Sequence, residues 1–205
     1  MRWSRWTCRS MTARQVETYA DVVCAALEEC DDDIVLVGHS YGGHTIPLVA
    51  ARRPVKRLVY LCALVPEVGK NFYDQAAEEP DMVNFGYREG CTEPDAQLRM
   101  RWVDFGLLRT LFYADCDEAA VQTAFKHIRP QSWYSATLPF SLSQFPSVPS
   151  SFVICSDDRM LSNDWARRIA RDRLGADLIE LPGSHSPFLS HPKALAAVLL
   201  RLAEK

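Results

Sequence analysis

Ile34-Val35-Leu36-Val37-Gly38-His39-Ser40-Tyr41-Gly42-Gly43 is the stretch that decides the fold of this chain. Its four leading apolar residues, with no polar interruption, predict a strand covered on both faces, as in a parallel sheet. The strand runs directly into a glycine-rich turn and a helix-like stretch from Tyr41 to about Arg53, and a second apolar run follows from Arg57 to Ala63. That order is a strand, helix, strand unit. A chain that passes at once from strand to helix forces the turn residue, Ser40, into strained backbone geometry. Small neighbours at Gly38 and Gly42 are expected to let the chain pass without a clash. Ser40 would then stand exposed at the start of the helix, with the Tyr41 amide aimed at the place where an ester oxygen becomes an oxyanion.

A serine hydroxyl is a weak nucleophile at neutral pH, so this reading requires a histidine base and a carboxylate to orient it, in the order serine, acid, histidine. His185, in Leu181-Pro182-Gly183-Ser184-His185-Ser186-Pro187-Phe188, follows the last expected strand and precedes the terminal helix. The acid belongs in the loop after the preceding strand, where Ser156-Asp157-Asp158-Arg159 offers two carboxylates. Asp158 is favoured, and Asp157 is the alternative. The rival reading for His185 is a surface histidine capping the last helix. His39, His44 and His127 are read as structural.

Upstream, Thr12 to Cys30 carries Val16, Tyr19, Ala20, Val23, Ala26, Leu27 and Cys30 at spacings of three and four, one buried helical stripe. Asp31 to Asp33 then punctuate the chain before the decisive strand. From Pro66 to about Ser150 the composition turns to prolines and aromatics with no strong strand pattern, which reads as an insertion. Two helical patterns stand inside it, Pro94 to Leu111 and Asp117 to Ile128. Core-like order resumes with a strand at Phe152 to Cys155, a helix at Asn163 to Arg173, a strand at Asp177 to Leu181 and a terminal helix at Pro192 to Ala203. The expected division is therefore a core of residues 1–65 and 151–205 with a cap or lid of residues 66–150. The cap aromatics, Phe72, Trp102, Phe112 and Trp133 among them, fit a small core as well as a substrate pocket, and none is assigned a binding role.

Bulk properties bound the function. The 205 residues are 48% hydrophobic and 24% charged, values of a folded globular chain and not of a disordered or fibrous one. A net charge of −3 leaves no basic face for nucleic acid. The seven cysteines are an odd number without metal-ribbon or redox spacing, and they read as reduced thiols and a cytoplasmic location. Arg2, Arg5 and Arg9 read as a solvated tail, since no apolar run follows them that would make a signal peptide, and no run is long enough to span a membrane. No metal and no organic cofactor is implied.

On these residues the chain resembles the α/β-hydrolases, and within them the plant methylesterases, the hydroxynitrile lyases and their bacterial relatives. The likeness covers about residues 15 to 203 and rests on GHSYGG, LVYLCALVPEVG, the Asp158-Arg159 pair and GSHSPF. It implies an α/β fold with a truncated, mostly parallel sheet of about four strands flanked by helices, and a mainly helical cap that shapes the pocket. Ser40, Asp158 and His185 would be catalytic and Tyr41 an oxyanion donor. One departure stands out: nothing in Met1 to Arg14 matches the early strands or the His-Gly loop that supplies the family's second oxyanion amide. The expected strand at Ile34 to Val37 would then present an open edge, suited to a second copy or another partner. The leading expectation is a serine hydrolase of a small, apolar carboxylic ester, with its activity impaired by the missing strands. The alternatives are a hydroxynitrile-lyase-like enzyme using the same triad, or a non-catalytic truncated hydrolase that binds a ligand or partner.

Overall fold

The computed structural model describes residues 15–205, so the readings made on Met1 to Arg14, the arginine-bearing tail and the lack of a match to the early strands, lie outside the described residues. Four parallel strands form the sheet in the order β1 (Val35–His39), β2 (Arg57–Leu61), β5 (Ser150–Cys155) and β6 (Asp177–Leu181). Two short strands between them, β3 (Arg99–Met100) and β4 (Gln131–Ser132), pair antiparallel and apart from the sheet. The register places Val35 beside Arg57, Leu58 beside Ser150 and Ser151 beside Asp177.

Side chains alternate along these strands, so the sheet has two apolar faces. Leu58, Tyr60, Phe152 and Ile154 point to one, against helix α2 (Ile46–Ala50) and the Trp165, Ala166 and Ile169 stripe of α6 (Asn163–Asp172). Helix α1 (Gln15–Ala26) adds Ala20 to that layer. Val59, Leu61, Val153 and Cys155 point to the other face, where α8 (Pro192–Glu204) lays down Leu195, Val198 and Leu202. Central strand β2 is buried at every position. Edge strand β1 is not: Val37 is 40% exposed, so the expectation of a strand covered on both faces fails there. The reason is topological, because among the described residues β1 has a neighbour on one side only. Cys30, expected on the buried stripe of α1, is exposed because the helix ends before it.

The chain between β2 and β5 holds α3 (Phe72–Glu78), α4 (Phe105–Phe112) and α5 (Glu118–His127), with 3-10 turns at Phe85–Gly90 and Tyr134–Thr137. Each helix starts on a side-chain cap: Asn71 accepts from the Tyr73 and Asp74 amides, Asp104 from Leu107, and Asp117 from Ala120. The helix expected from Pro94 begins only at Phe105. Asp95 instead accepts the amides of Gln97 and Arg99 and closes a local turn, and Leu98 takes φ +54°, which ends any helix there. Glu79 fastens this segment to α6 by accepting from Trp165 Nε1 at 3.1 Å and Arg173 at 2.9 Å. Those bonds, with one from Gln75, overcome its desolvation and hold its carboxyl below the usual range.

Candidate active site

The site forms where the four parallel strands end, because every loop that follows a strand in such a sheet emerges on the same side. The first of these loops carries Ser40. Its φ of +52° is a left-handed value that costs a non-glycine residue energy, and it holds Ser40 out at the turn between β1 and the helices. The small-residue requirement is real but falls partly elsewhere than expected. A Cβ on Gly38 would come within 2.7 Å of the Gly42 carbonyl oxygen, and one on Gly43 would overlap the Leu64 carbonyl oxygen. A Cβ on Gly42 would meet open space. The long helix expected from Tyr41 to Arg53 is also broken: Ser40–His44 is a 3-10 turn, and α2 starts only at Ile46 with Pro47 in its first turn.

The loop after β5 carries Asp158. Asp158 Oδ1 accepts the amides of Met160 and Leu161 at 2.8 and 2.9 Å, which fixes the carboxylate plane, and Oδ2 accepts His185 Nδ1–H at 2.8 Å. Asp157 turns outward and accepts the Ser156 hydroxyl, so the geometry separates the two candidates. The side chains of Asp158 and His185 are each 1% exposed, and their pairing is therefore weakly screened. With Nδ1 bonded to Asp158, Nε2 is the remaining ring nitrogen, and it is buried without a hydrogen-bond partner among the described residues.

His39, read from the sequence as structural, packs against the His185 loop. Its Nε2–H donates to the main-chain carbonyl of His185 at 2.9 Å, and its ring lies 4.8 Å from the His185 ring and 5.0 Å from Phe188. Burial and the nearby His185 lower its pKa to about 3, so it stays neutral and keeps that donor. His44 is likewise lowered to about 3 by burial and stacks on Tyr41 at 4.6 Å. His127 lies exposed on α5, bonded to its own helix at Thr123.

Tyr41 spends its side chain on the inserted segment. Its hydroxyl lies 3.2 Å from Ser135 Oγ, its ring meets Trp133 and Phe72, and burial raises its phenol pKa. From the same segment Phe112 sets its ring edge-on to His185 at 5.1 Å and touches Trp102 at 5.4 Å. The aromatics of this segment thus pack on one another and, at Phe112, against His185. Among the described residues, one cluster has metal-ligand character: Cys62 Sγ, an Asp158 oxygen and a His185 nitrogen lie within 4.8 Å of one another. Contact with the Cys155 thiol, burial and the Asp158 charge push the Cys62 thiol well up.

Sequence reasoning did not single out Cys62 or give His39 its bond. Both sit beside the decisive motifs, but the packing of distant segments, not spacing, brings them to His185.

A four-stranded parallel sheet, a strained serine between strand and helix, and a buried carboxylate–histidine pair on adjacent loops define a hydrolase of the α/β type. The chain belongs to the alpha/beta hydrolase family, whose profile matches residues 6–198. It is 29% identical to norfluorocurarine synthase 2 of Strychnos nux-vomica, covering 93% of this chain and 79% of that protein. It is 24% identical to methylesterase 7 of Arabidopsis thaliana, covering 88% and 73%. In structure it superposes on a pyrethroid hydrolase of Sphingobium faniae JZ-2 with a TM-score of 0.79 at 23% identity, covering 94% and 79%, a likeness of fold. Its relatives thus include esterase-type hydrolases. No helix among the described residues is long and apolar enough to cross a membrane.

Proposed function

We propose that this chain is a serine esterase acting on small, apolar carboxylic esters through Ser40, His185 and Asp158. The observation that carries the reading is the buried Asp158–His185 bond at 2.8 Å with Nε2 left unpaired, in a molecule whose serine is held at φ +52°. His185 Nε2 takes the Ser40 proton as Oγ bonds to the ester carbonyl carbon, and the carbonyl electrons move onto its oxygen, opposite the Tyr41 amide. Collapse of that intermediate expels the alcohol, which takes the proton back from His185 and leaves an acyl-serine. Water then repeats the sequence, giving the acid and free Ser40. Asp158 keeps its charge throughout and holds the imidazole in the Nδ1–H tautomer.

The apolar wall of Tyr41, Trp133 and Phe112 supports an apolar group on the substrate, since the reacting edge is lined by rings. We place the enzyme in the cytoplasm, a reading supported by thiols at Cys62, Cys116 and Cys155 that are buried and unpaired. The test is reaction with a fluorophosphonate followed by mass mapping. An adduct on Ser40 that disappears in His185→Ala is expected. A folded chain that takes no label, or one labelled equally in Ser40→Ala, would overturn the assignment.

A further inference from the structure

Asp115 lies between α4 and α5, far in sequence from the base, and its side chain is 25% exposed. One carboxylate oxygen accepts the hydroxyl of Ser184, the residue immediately before His185, and Ser184 itself is fully buried. The other oxygen takes His191 Nε2 at 3.1 Å, at the start of α8 and beyond the far end of the same loop. Both ends of the His185 loop are therefore tied to a single group on the inserted segment.

The backbone is shaped around this pair. Gly183 sits at φ +111°, and a Cβ there would come within 2.6 Å of Asp115 Oδ2 and 2.5 Å of the His191 ring. The Asp115–His191 pair is thus seated directly on residue 183. Phe112, one turn earlier, adds its carbonyl as a second acceptor for Ser184 Oγ at 3.3 Å while its ring rests on His185. Desolvation works against the Asp115 charge. The Ser184 hydroxyl and amide, together with the nearby Ser190 hydroxyl, more than offset it and hold the carboxyl below its usual range.

We propose that Asp115 is a positioning residue for the base: it clamps the Gly183–His191 loop to the cap so that His185 keeps Nε2 where the Ser40 proton leaves. Its effect on rate rests on the esterase reading, whereas its hold on the loop does not. The clamp also makes the geometry of the base depend on where the cap sits. A displacement on the order of 1 Å in such a group is enough to lower a chemical step by roughly 100-fold.

The test uses the full chain with Asp115→Ala, Asp115→Asn, Ser184→Ala and the Asp115→Ala/Ser184→Ala double variant. Fluorophosphonate labelling of Ser40 is measured across probe concentration, and amide hydrogen exchange is followed by peptide. Asp115→Ala is expected to slow labelling at saturating probe by roughly 10- to 100-fold while the half-saturating concentration stays within about twofold. Asp115→Asn keeps an acceptor for Ser184 and should recover part of the rate. The double variant should be little worse than either single one, because both act through one bond. Exchange should rise in residues 183–191 and stay unchanged in β5. Labelling at the wild-type rate, unchanged exchange in 183–191, or loosening of the whole sheet would each overturn the proposal. If the wild-type chain takes no label on Ser40, the esterase reading fails, and the clamp stands or falls on the exchange of 183–191.

Discussion

Replacing Asp158 with asparagine changes one oxygen for an NH2 group, and the neighbouring bonds dictate which one. The amides of Met160 and Leu161 both point at Oδ1, from 2.8 and 2.9 Å, and require an acceptor there. Turning the new NH2 toward them would forfeit two hydrogen bonds and set donors against donors, at about 1–3 kcal/mol for each buried group left unsatisfied. The amide oxygen therefore stays at that corner and the NH2 faces His185 Nδ1. Nδ1 must then accept, so the ring proton moves to Nε2 and the base loses the lone pair that takes the Ser40 proton. A trapped tautomer of this kind lowers turnover by about 10⁴-fold in a serine protease triad, and a loss of that order is expected here. It corresponds to roughly 5.5 kcal/mol of barrier. Fluorophosphonate labelling of Ser40 gives the rate, and nitrogen NMR of the ring gives the tautomer. A loss below about tenfold, or a ring still protonated on Nδ1, would refute the reasoning.

Two further outcomes follow from the same geometry. His39 and His44 have pKa values lowered to about 3 by burial, whereas their unfolded values lie near 6.5, so the unfolded chain binds more protons as pH falls below 6.5. Stability they leave intact above pH 6.5 is lost progressively toward pH 3, at about 2 kcal/mol for each ring by pH 5. Chemical denaturation at pH 7 and pH 5 checks this, and equal stability at the two values would contradict it. Gly43→Ala should destabilise the fold by about 1–3 kcal/mol or more through its overlap with the Leu64 carbonyl, whereas Gly42→Ala should melt within a few degrees of wild type. Equal melting of the two variants would show that the turn does not pack as described.

Local pattern in the sequence was enough for part of the fold. Apolar runs too long to be exposed fixed β2 and β5, a three-four spacing fixed α8, and a serine between a strand and a helix with glycines around it marked the elbow. The order of serine, acid and histidine loops followed from these, because in a parallel sheet each strand delivers its following loop to the same side. Tertiary structure decided the rest. Asp158 and Asp157 are chemically identical neighbours, and only the positions of the Met160 and Leu161 amides and of His185 choose between them. Besides Gly38, the turn requires Gly43 and not Gly42, because the second obstacle is a carbonyl from the loop after β2. His39 reaches the His185 carbonyl across 146 residues of chain, and Asp115 reaches Ser184 across 69. Such contacts leave no periodic trace. A hydrogen bond between distant segments depends on the angle and register at which whole elements pack, and no local run of residues encodes that.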